Sequence, residues 1–285
     1  MARRDSVEVA QGERGAERRG RLDLLLVRRG LFATREKARS AVMAGEVIVD
    51  GMRQDKPGAM VAPSVRIDVR PPGEQYVSRA GKKLEKALVE FGVDVSDKVA
   101  IDVGASTGGF TDCLLRHGAK RVYAIDVGYG QLAWELRQDP RVVVLERTNV
   151  RRLDSGAVPE KADVCTIDVS FISVTKFLRH LLTFLADKAA LIVLVKPQFE
   201  AGREQVRKGG VVRDPAVHAE TLTRIMEFMA GAGMQVRGLT YSPIKGPAGN
   251  IEFLVYAVKG EQAGGAGLTD DDVSRIVDAA HRDLG

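Results

Sequence analysis

Three aspartates, a glycine-rich turn, one asparagine, one lysine and one glutamate are the residues of this chain whose types and spacing bear on chemistry. Asp102 lies in an apolar, β-branched run, Val99 to Val103, that leads into Gly104-Ala105-Ser106-Thr107-Gly108-Gly109 and then Phe110. Glycines let a ligand lie against the backbone, and a helix starting there exposes free N–H groups. The loop is neither G-x-G-x-x-G nor a P-loop with its lysine. Without that cation it suits a nucleoside of little negative charge better than a triphosphate, and a tight structural turn is the alternative. Asp126 follows 24 residues after Asp102, where an acid can take both ribose hydroxyls. Asn149, beside Val150, can read an adenine edge. Asp168, Lys196 and Glu252 come next in the chain. This spacing serves NAD and S-adenosylmethionine alike, and any one of these aspartates could be a cap.

The elements that must place these residues alternate from Val99 onward as in a doubly wound α/β fold. Strands are expected at Val99–Val103, Arg121–Asp126, Val142–Glu146, Ala162–Asp168, Ala189–Val195, Gln235–Ser242 and Glu252–Lys259. Helices are expected near Phe110–His117, Gln131–Arg137, Val174–Ala186 and Ala216–Gly231, after a first one from about Ser78 to Phe91. Asp102, Asp126, Asp168 and Lys196 then lie at the carboxyl ends of strands, where open α/β sheets bind ligands. The last two strands are joined only by the Gly/Pro-rich Pro243 to Asn250, so the final strand is antiparallel. Seven strands with that ending are the Rossmann-like layout of S-adenosylmethionine-dependent methyltransferases. Asp168-Val-Ser170-Phe171 lacks the prolines of the Asn/Asp-Pro-Pro-Tyr motif used on exocyclic amines, which disfavours a base-amine target.

Ahead of this region the chain is organised differently. Residues 1–20 are rich in Arg, Glu and Gly and read as a disordered tail. Residues 21–70 form a small α+β module: a helix through Leu22, Leu24, Leu25 and Leu26, and a second capped by Thr34. A short strand follows, ending in an Asp-Gly turn, and another lies between Val61 and Val69. Between Arg21 and Met60 there are eight basic and five acidic residues, and Arg28, Arg29, Arg35, Lys37 and Arg39 cluster around the helices. Such a row suits a phosphate backbone. Residues 71–77, with Pro71-Pro72-Gly73, read as a linker, 78–260 as the α/β domain, and 261–285 as a flexible extension ending in a short helix.

Arg21-Leu-Asp-Leu-Leu-Leu, Thr34-Arg-Glu-Lys-Ala-Arg and Gly45-Glu-Val-Ile-Val-Asp-Gly51 resemble the α-L (S4-like) RNA-binding module. Ser78-Arg-Ala-Gly-Lys-Lys-Leu84, Asp168-Val-Ser-Phe, Val195-Lys-Pro-Gln-Phe-Glu200 and Gly249-Asn-Ile-Glu-Phe253 resemble the four motifs of FtsJ/RrmJ-type ribose 2′-O-methyltransferases. Together they resemble the TlyA family, bacterial rRNA cytidine-2′-O-methyltransferases often labelled hemolysins. The resemblance implies a Lys-Asp-Lys-Glu tetrad of Lys83, Asp168, Lys196 and Glu252, with Lys83 preferred to Lys82 because the family's lysine directly precedes leucine. It implies S-adenosylmethionine as cofactor and ribosomal RNA, 23S and in some members 16S, as substrate. A ribose hydroxyl needs in-line placement and help with one proton. Lys196 is expected near that hydroxyl, oriented by Asp168, with Lys83 nearby, each lysine disfavouring the other's charge. Glu252 would position Lys83 or the ribose.

Arg203, Arg207 and Lys208 fall in a basic loop beside the Lys196 motif and are expected, with Arg21 and the cluster above, to meet RNA. The net charge of +5 is mild and does not by itself select nucleic acid. Cys113 and Cys165 are too few for a disulfide framework or a zinc site, so a reducing cytoplasm and no metal are expected. No apolar run nears the roughly 20 residues of a membrane span, which disfavours a membrane-active hemolysin. A non-catalytic RNA-binding ribosome-assembly factor is the other alternative. A monomer would suffice, since no coiled coil is evident.

Overall fold

The computed structural model describes residues 19–50, 52–69, 76–206, 209–260 and 268–285. The expected tail at 1–20, apart from its last two residues, and the Pro71-Pro72-Gly73 linker lie outside the described residues. The chain divides into two compact units between Gln75 and Tyr76.

In the first unit, β1 (Gly20–Arg21) leads into α1 (Leu22–Arg28) and α2 (Arg35–Met43). The Thr34 hydroxyl accepts from Lys37 N at 3.2 Å and starts α2. Leu22 and Leu26 of α1 and Ala38, Ala41 and Val42 of α2 pack on Val47 and Val49 of β2 (Val47–Val49). β2 pairs with β3 (Met52–Arg53) and β5 (Ile67–Val69), both antiparallel. The strand expected between Val61 and Val69 is β5, and a further one, β4 (Met60–Val61), pairs with β1. Pro63 turns the chain between them and has no N–H for a ladder.

The second unit carries seven strands: β6 (Val99–Val103), β7 (Arg121–Ile125), β8 (Val142–Leu145), β9 (Ala162–Ile167), β10 (Leu185–Val195), β11 (Met234–Tyr241) and β12 (Phe253–Lys259). Their order is β11-β12-β10-β9-β6-β7-β8. The first five pair in parallel, and β12 lies antiparallel between β10 and β11. The chain runs outward from β6 in both directions, so the crevice between the ends of β6 and β9 is the switch point of the sheet.

Helices cover both faces: α3 (Ala80–Phe91), α4 (Gly109–Arg116), α5 (Trp134–Gln138), α6 (Leu178–Leu181), α7 (Pro197–Glu200), α8 (Pro215–Gly231) and α9 (Asp270–Leu284). Along β6 the side chains alternate. Ile101 and Val103 join Leu178, Leu222, Met229 and Val277 in one core, and Ala100 joins Leu84, Phe110 and Leu114 in the other.

Two elements depart from expectation, and a third, the helix expected at the end of the C-terminal extension, is longer than expected. The helix expected from Gln131 begins at Trp134, because the Glu146 carboxylate takes the N–H groups of Gly130 and Gln131 and holds that stretch as a loop. The helix expected over Val174–Ala186 is broken into α6 between two 3-10 turns. The Thr183 hydroxyl there donates back to His180 O at 2.7 Å, and β10 already starts at Leu185. The expected flexible C-terminal extension ends in α9, a 15-residue helix with a Thr269/Asp272 capping box that buries Val273, Val277 and Ala280. Its seven preceding residues, 261–267, lie outside the described residues. No helix among the described residues is long and apolar enough to cross a membrane.

Candidate active site

The turn after β6 bends where only glycine fits. Gly104 has φ +85°, and a Cβ there would stand 2.4 Å from Asp168 O at the end of β9. Gly104 N and Ala105 N both donate to Ile125 O, which pins the turn to β7. Ser106, itself at φ +49°, donates its N–H to Asp126 Oδ2 at 2.8 Å, and Gly128 N donates to Asp126 Oδ1 at 2.6 Å. Asp126 is thereby fixed on the rim of a cavity of about 480 Å³ at the switch point.

Of the residues expected at the cofactor, Gly104, Ser106, Asp126, Asn149, Val150 and Asp168 line this cavity. Asp102 does not. It is fully buried beneath the turn, accepting from Thr111 Oγ1 at 2.7 Å and Thr166 Oγ1 at 3.0 Å. Burial pushes its carboxyl up to about 7, against the two threonine bonds. Ala105 is buried, Phe110 belongs to the core, and Thr107 is exposed without lining the cavity. Gly108 and Gly109 serve packing: a Cβ on Gly108 would meet Leu136, and one on Gly109 would meet Ser78 and Ala80 at the start of α3.

Gln131, Thr148, Ser170 and Phe171 also line the cavity and were not singled out from sequence. Ser170 and Phe171 stood in view within the motif after Asp168. Phe171 is 90% exposed at φ +66° and packs its ring on Phe199 at 4.8 Å. An aromatic residue held in that backbone region and left in water marks a site more than a core.

Two lysine–carboxylate pairs stand at the carboxyl edge of the sheet. Lys196 follows β10 and Asp168 follows the adjacent parallel β9, so both side chains leave the same end. Lys196 Nζ lies 2.5 Å from Asp168 Oδ1 and donates to Ser170 Oγ at 3.1 Å. The angles of the first contact are not those of a hydrogen bond, and Asp168 Oδ1 accepts none. Lys83, in the first turn of α3, places Nζ 2.5 Å from Glu252 Oε2, just before β12. Both are buried. Asp168 is thus beside Lys196 as expected, and of the two roles expected for Glu252, Lys83 or the ribose, it meets Lys83; each lysine has its own acid. Asn250, also buried, accepts from Val212 N at 3.0 Å and donates to Gly210 O at 2.9 Å, fastening part of the basic loop next to Glu252. Arg207, Lys208 and the side chain of Arg203 lie outside the described residues.

In the first unit, three of the arginines expected at RNA are occupied. Arg21 and Arg35 both donate to the buried Asp23 and hold its carboxyl down to about 2, against burial. Arg29 donates to Pro63 O and to Val65 O. Arg28, Lys37 and Arg39 are exposed. Among the described residues no group of three or more His, Cys, Asp or Glu is placed to hold a metal.

Residues 76–259 match the model of the FtsJ-like methyltransferase family, and residues 20–67 match the S4 domain. The YqxC protein of Bacillus subtilis (strain 168) is 53% identical over 93% of this chain and 95% of its own length. The 16S/23S rRNA (cytidine-2′-O)-methyltransferase TlyA of Mycobacterium tuberculosis (strain ATCC 25618 / H37Rv) is 44% identical over 84% of this chain and 90% of its own. A solved structure from Streptococcus thermophilus is 43% identical with a TM-score of 0.72, covering 94% of this chain and 98% of that one.

Proposed function

The chain belongs to the FtsJ-like methyltransferase family, with an S4 domain ahead of the methyltransferase unit, and on that premise we propose that it methylates the ribose 2′-oxygen of a cytidine in ribosomal RNA. The observation that carries this reading is the pairing of Lys196 with Asp168 beside the cavity and of Lys83 with Glu252.

The cavity suits S-adenosylmethionine. The turn at Gly104 brings backbone where a side chain would intrude, Asp126 offers a carboxylate to ribose hydroxyls, and Val103, Ile125 and Val150 give apolar walls. The missing P-loop lysine fits a cofactor without a phosphate chain. When bound, S-adenosylmethionine supplies a methyl group already activated by its sulfonium charge.

What the chain must add is position and proton handling. Lys196 Nζ, held against Asp168 and Ser170 of the cavity lining, takes the proton of the 2′-hydroxyl once its own ammonium has released one to solvent. Asp168 holds the ammonium that results. Glu252 keeps Lys83 in place, and Lys83 orients the ribose. Arg28, Lys37 and Arg39 bring RNA by phosphate contacts that lose strength in salt. The substrate is 23S rRNA, with 16S rRNA as a second one, as named for the mycobacterial relative. The enzyme acts as a cytoplasmic monomer.

Incubation with each ribosomal subunit and tritiated S-adenosylmethionine tests this, followed by primer extension at low nucleotide concentration to map a 2′-O-methyl stop. Label in the large subunit is expected, and label in the small one decides the 16S arm. No label in either overturns the reading.

A further inference from the structure

We propose that Ser170 is a positioning residue for methyl transfer, its hydroxyl setting the rotation of the Lys196 amine. This rests on the reading above, in which Lys196 takes the hydroxyl proton.

The case begins with the difference between two contacts. Asp168 Oδ1 lies 2.5 Å from Lys196 Nζ but outside hydrogen-bond alignment, so it fixes the distance of the charge and not the direction of its N–H bonds. Ser170 Oγ accepts from the same nitrogen at 3.1 Å in alignment. A lysine terminus otherwise turns freely about Cε–Nζ. A neutral amine, formed when the Lys196 ammonium first gives one proton to solvent, has two N–H bonds and one lone pair. Once one N–H is aimed at Ser170, rotation about Cε–Nζ is set, and the lone pair takes one of the two positions that remain on the nitrogen. The proton of the 2′-hydroxyl then passes to that position: the O–H bond breaks, its electron pair stays on oxygen, and the nitrogen lone pair forms the new N–H bond. The ammonium so formed stands against Asp168.

The surroundings agree. Ser170 lines the cavity and is exposed, so folding does not call for its hydroxyl bond. The next residue, Phe171, sits at φ +66° and packs on Phe199, three residues after Lys196. The turn bearing Ser170 is therefore braced against the segment bearing the lysine.

The test compares Ser170→Ala and Ser170→Thr with the unaltered protein. Methylation of large subunits is followed under saturating S-adenosylmethionine and RNA, cofactor affinity is measured by calorimetry, and Lys196→Ala is the control. Loss of one hydrogen bond that acts in the transition state is expected to lower kcat of Ser170→Ala about tenfold. KM and cofactor Kd should stay within about twofold, and threonine, which keeps the hydroxyl, should restore most of the rate. An unchanged kcat in Ser170→Ala overturns the assignment. So does a loss matched by weaker cofactor binding, which would make Ser170 a cofactor contact, or a threonine variant as slow as alanine. If Lys196→Ala still methylates at the normal rate, the proton-transfer reading itself fails, a result distinct from failure at Ser170.

Discussion

Lys83 Nζ and Glu252 Oε2 lie 2.5 Å apart although 169 positions separate them in the chain. Both side chains are almost wholly withdrawn from water, so each is the other's main compensation. Glu252→Ala leaves a buried ammonium with no partner and is expected to cost about 3–5 kcal/mol of stability. The double variant Lys83→Met with Glu252→Leu should recover much of that while remaining inactive. Denaturant midpoints and a methylation assay on the same preparations check both halves. Recovery of activity in the double variant would show the pair to be structural only.

Lys196→Ala should leave the fold intact, because the partners it gives up, Asp168 and Ser170, line the cavity. Methyl transfer is expected to fall at least about 100-fold, the lower range for loss of a general base. Calorimetry with S-adenosylmethionine should give an affinity within about threefold of the unaltered protein. A matching loss of cofactor binding would move Lys196 from the reaction to the cofactor.

Cofactor affinity should respond to two positions differently. Asp126→Ala removes a carboxylate and frees the N–H groups of Ser106 and Gly128. Its Kd is expected to rise about 10- to 100-fold, the effect of losing charge-assisted hydrogen bonds. Gly104→Ala must clear Asp168 O at 2.4 Å in a left-handed backbone, so binding should be lost altogether. Wild-type affinity in either variant contradicts the placement of the cofactor at this turn.

Stability should depend on pH through two buried groups with opposite signs. The Asp102 carboxyl is raised by burial from 3.8 to about 7, so its charged form is disfavoured in the fold. Its contribution is fully present below pH 4 and is lost as pH rises toward 7. His218 is lowered from 6.5 to about 4 by burial and by His281, whose Nε2 lies 3.0 Å from its Nδ1. Its contribution is present above pH 6.5 and is lost as pH falls toward 4. The two slopes oppose each other between pH 4 and 6.5, each at most about 1.4 kcal/mol per pH unit. Asp102→Asn should make stability rise more steeply with pH there, and His218→Gln should make it fall. Chemical denaturation across that window reads both, and unchanged slopes would place the charges elsewhere.

The first unit separates arginines that hold it together from cations open to a ligand. Lys37→Glu with Arg39→Glu should weaken rRNA binding and flatten its salt dependence, with little change in stability. Asp23→Ala unpairs Arg21 and Arg35 and is expected to destabilise this unit by about 2 kcal/mol, the scale of hydrogen bonds to charged groups. Filter binding at several salt concentrations and thermal melts distinguish the two. Equal effects from both variants would contradict the division.

The sequence by itself determined what depends on short-range pattern. The β-branched run before Gly104, the Asp-Gly turn, the Thr34 cap and the alternation of strand and helix are local preferences, and the strands appear within a few residues of their expected places. The last strand is antiparallel because its connection is too short for a crossover, which is also visible locally. The motifs around Lys83, Asp168, Lys196 and Glu252 were legible as a set. The resemblance also implied that Asp168 orients Lys196 and that Glu252 positions Lys83 or the ribose; tertiary structure decided between those two partners for Glu252 and added Ser170. Chain spacing does not say that Glu252 meets Lys83 itself, because β12 lies between β10 and β11 only in the assembled sheet, nor that Lys196 also meets Ser170. Nor does it separate an aspartate that faces a cavity from one beneath it. Asp102 and Asp126 both come from the ends of neighbouring strands, yet Asp102 points into the protein at two threonines while Asp126 reaches the rim. Arg21 and Arg35 stand among the other cations in a list of charges, and only the fold shows that both also pair with Asp23, a buried carboxylate that must be compensated.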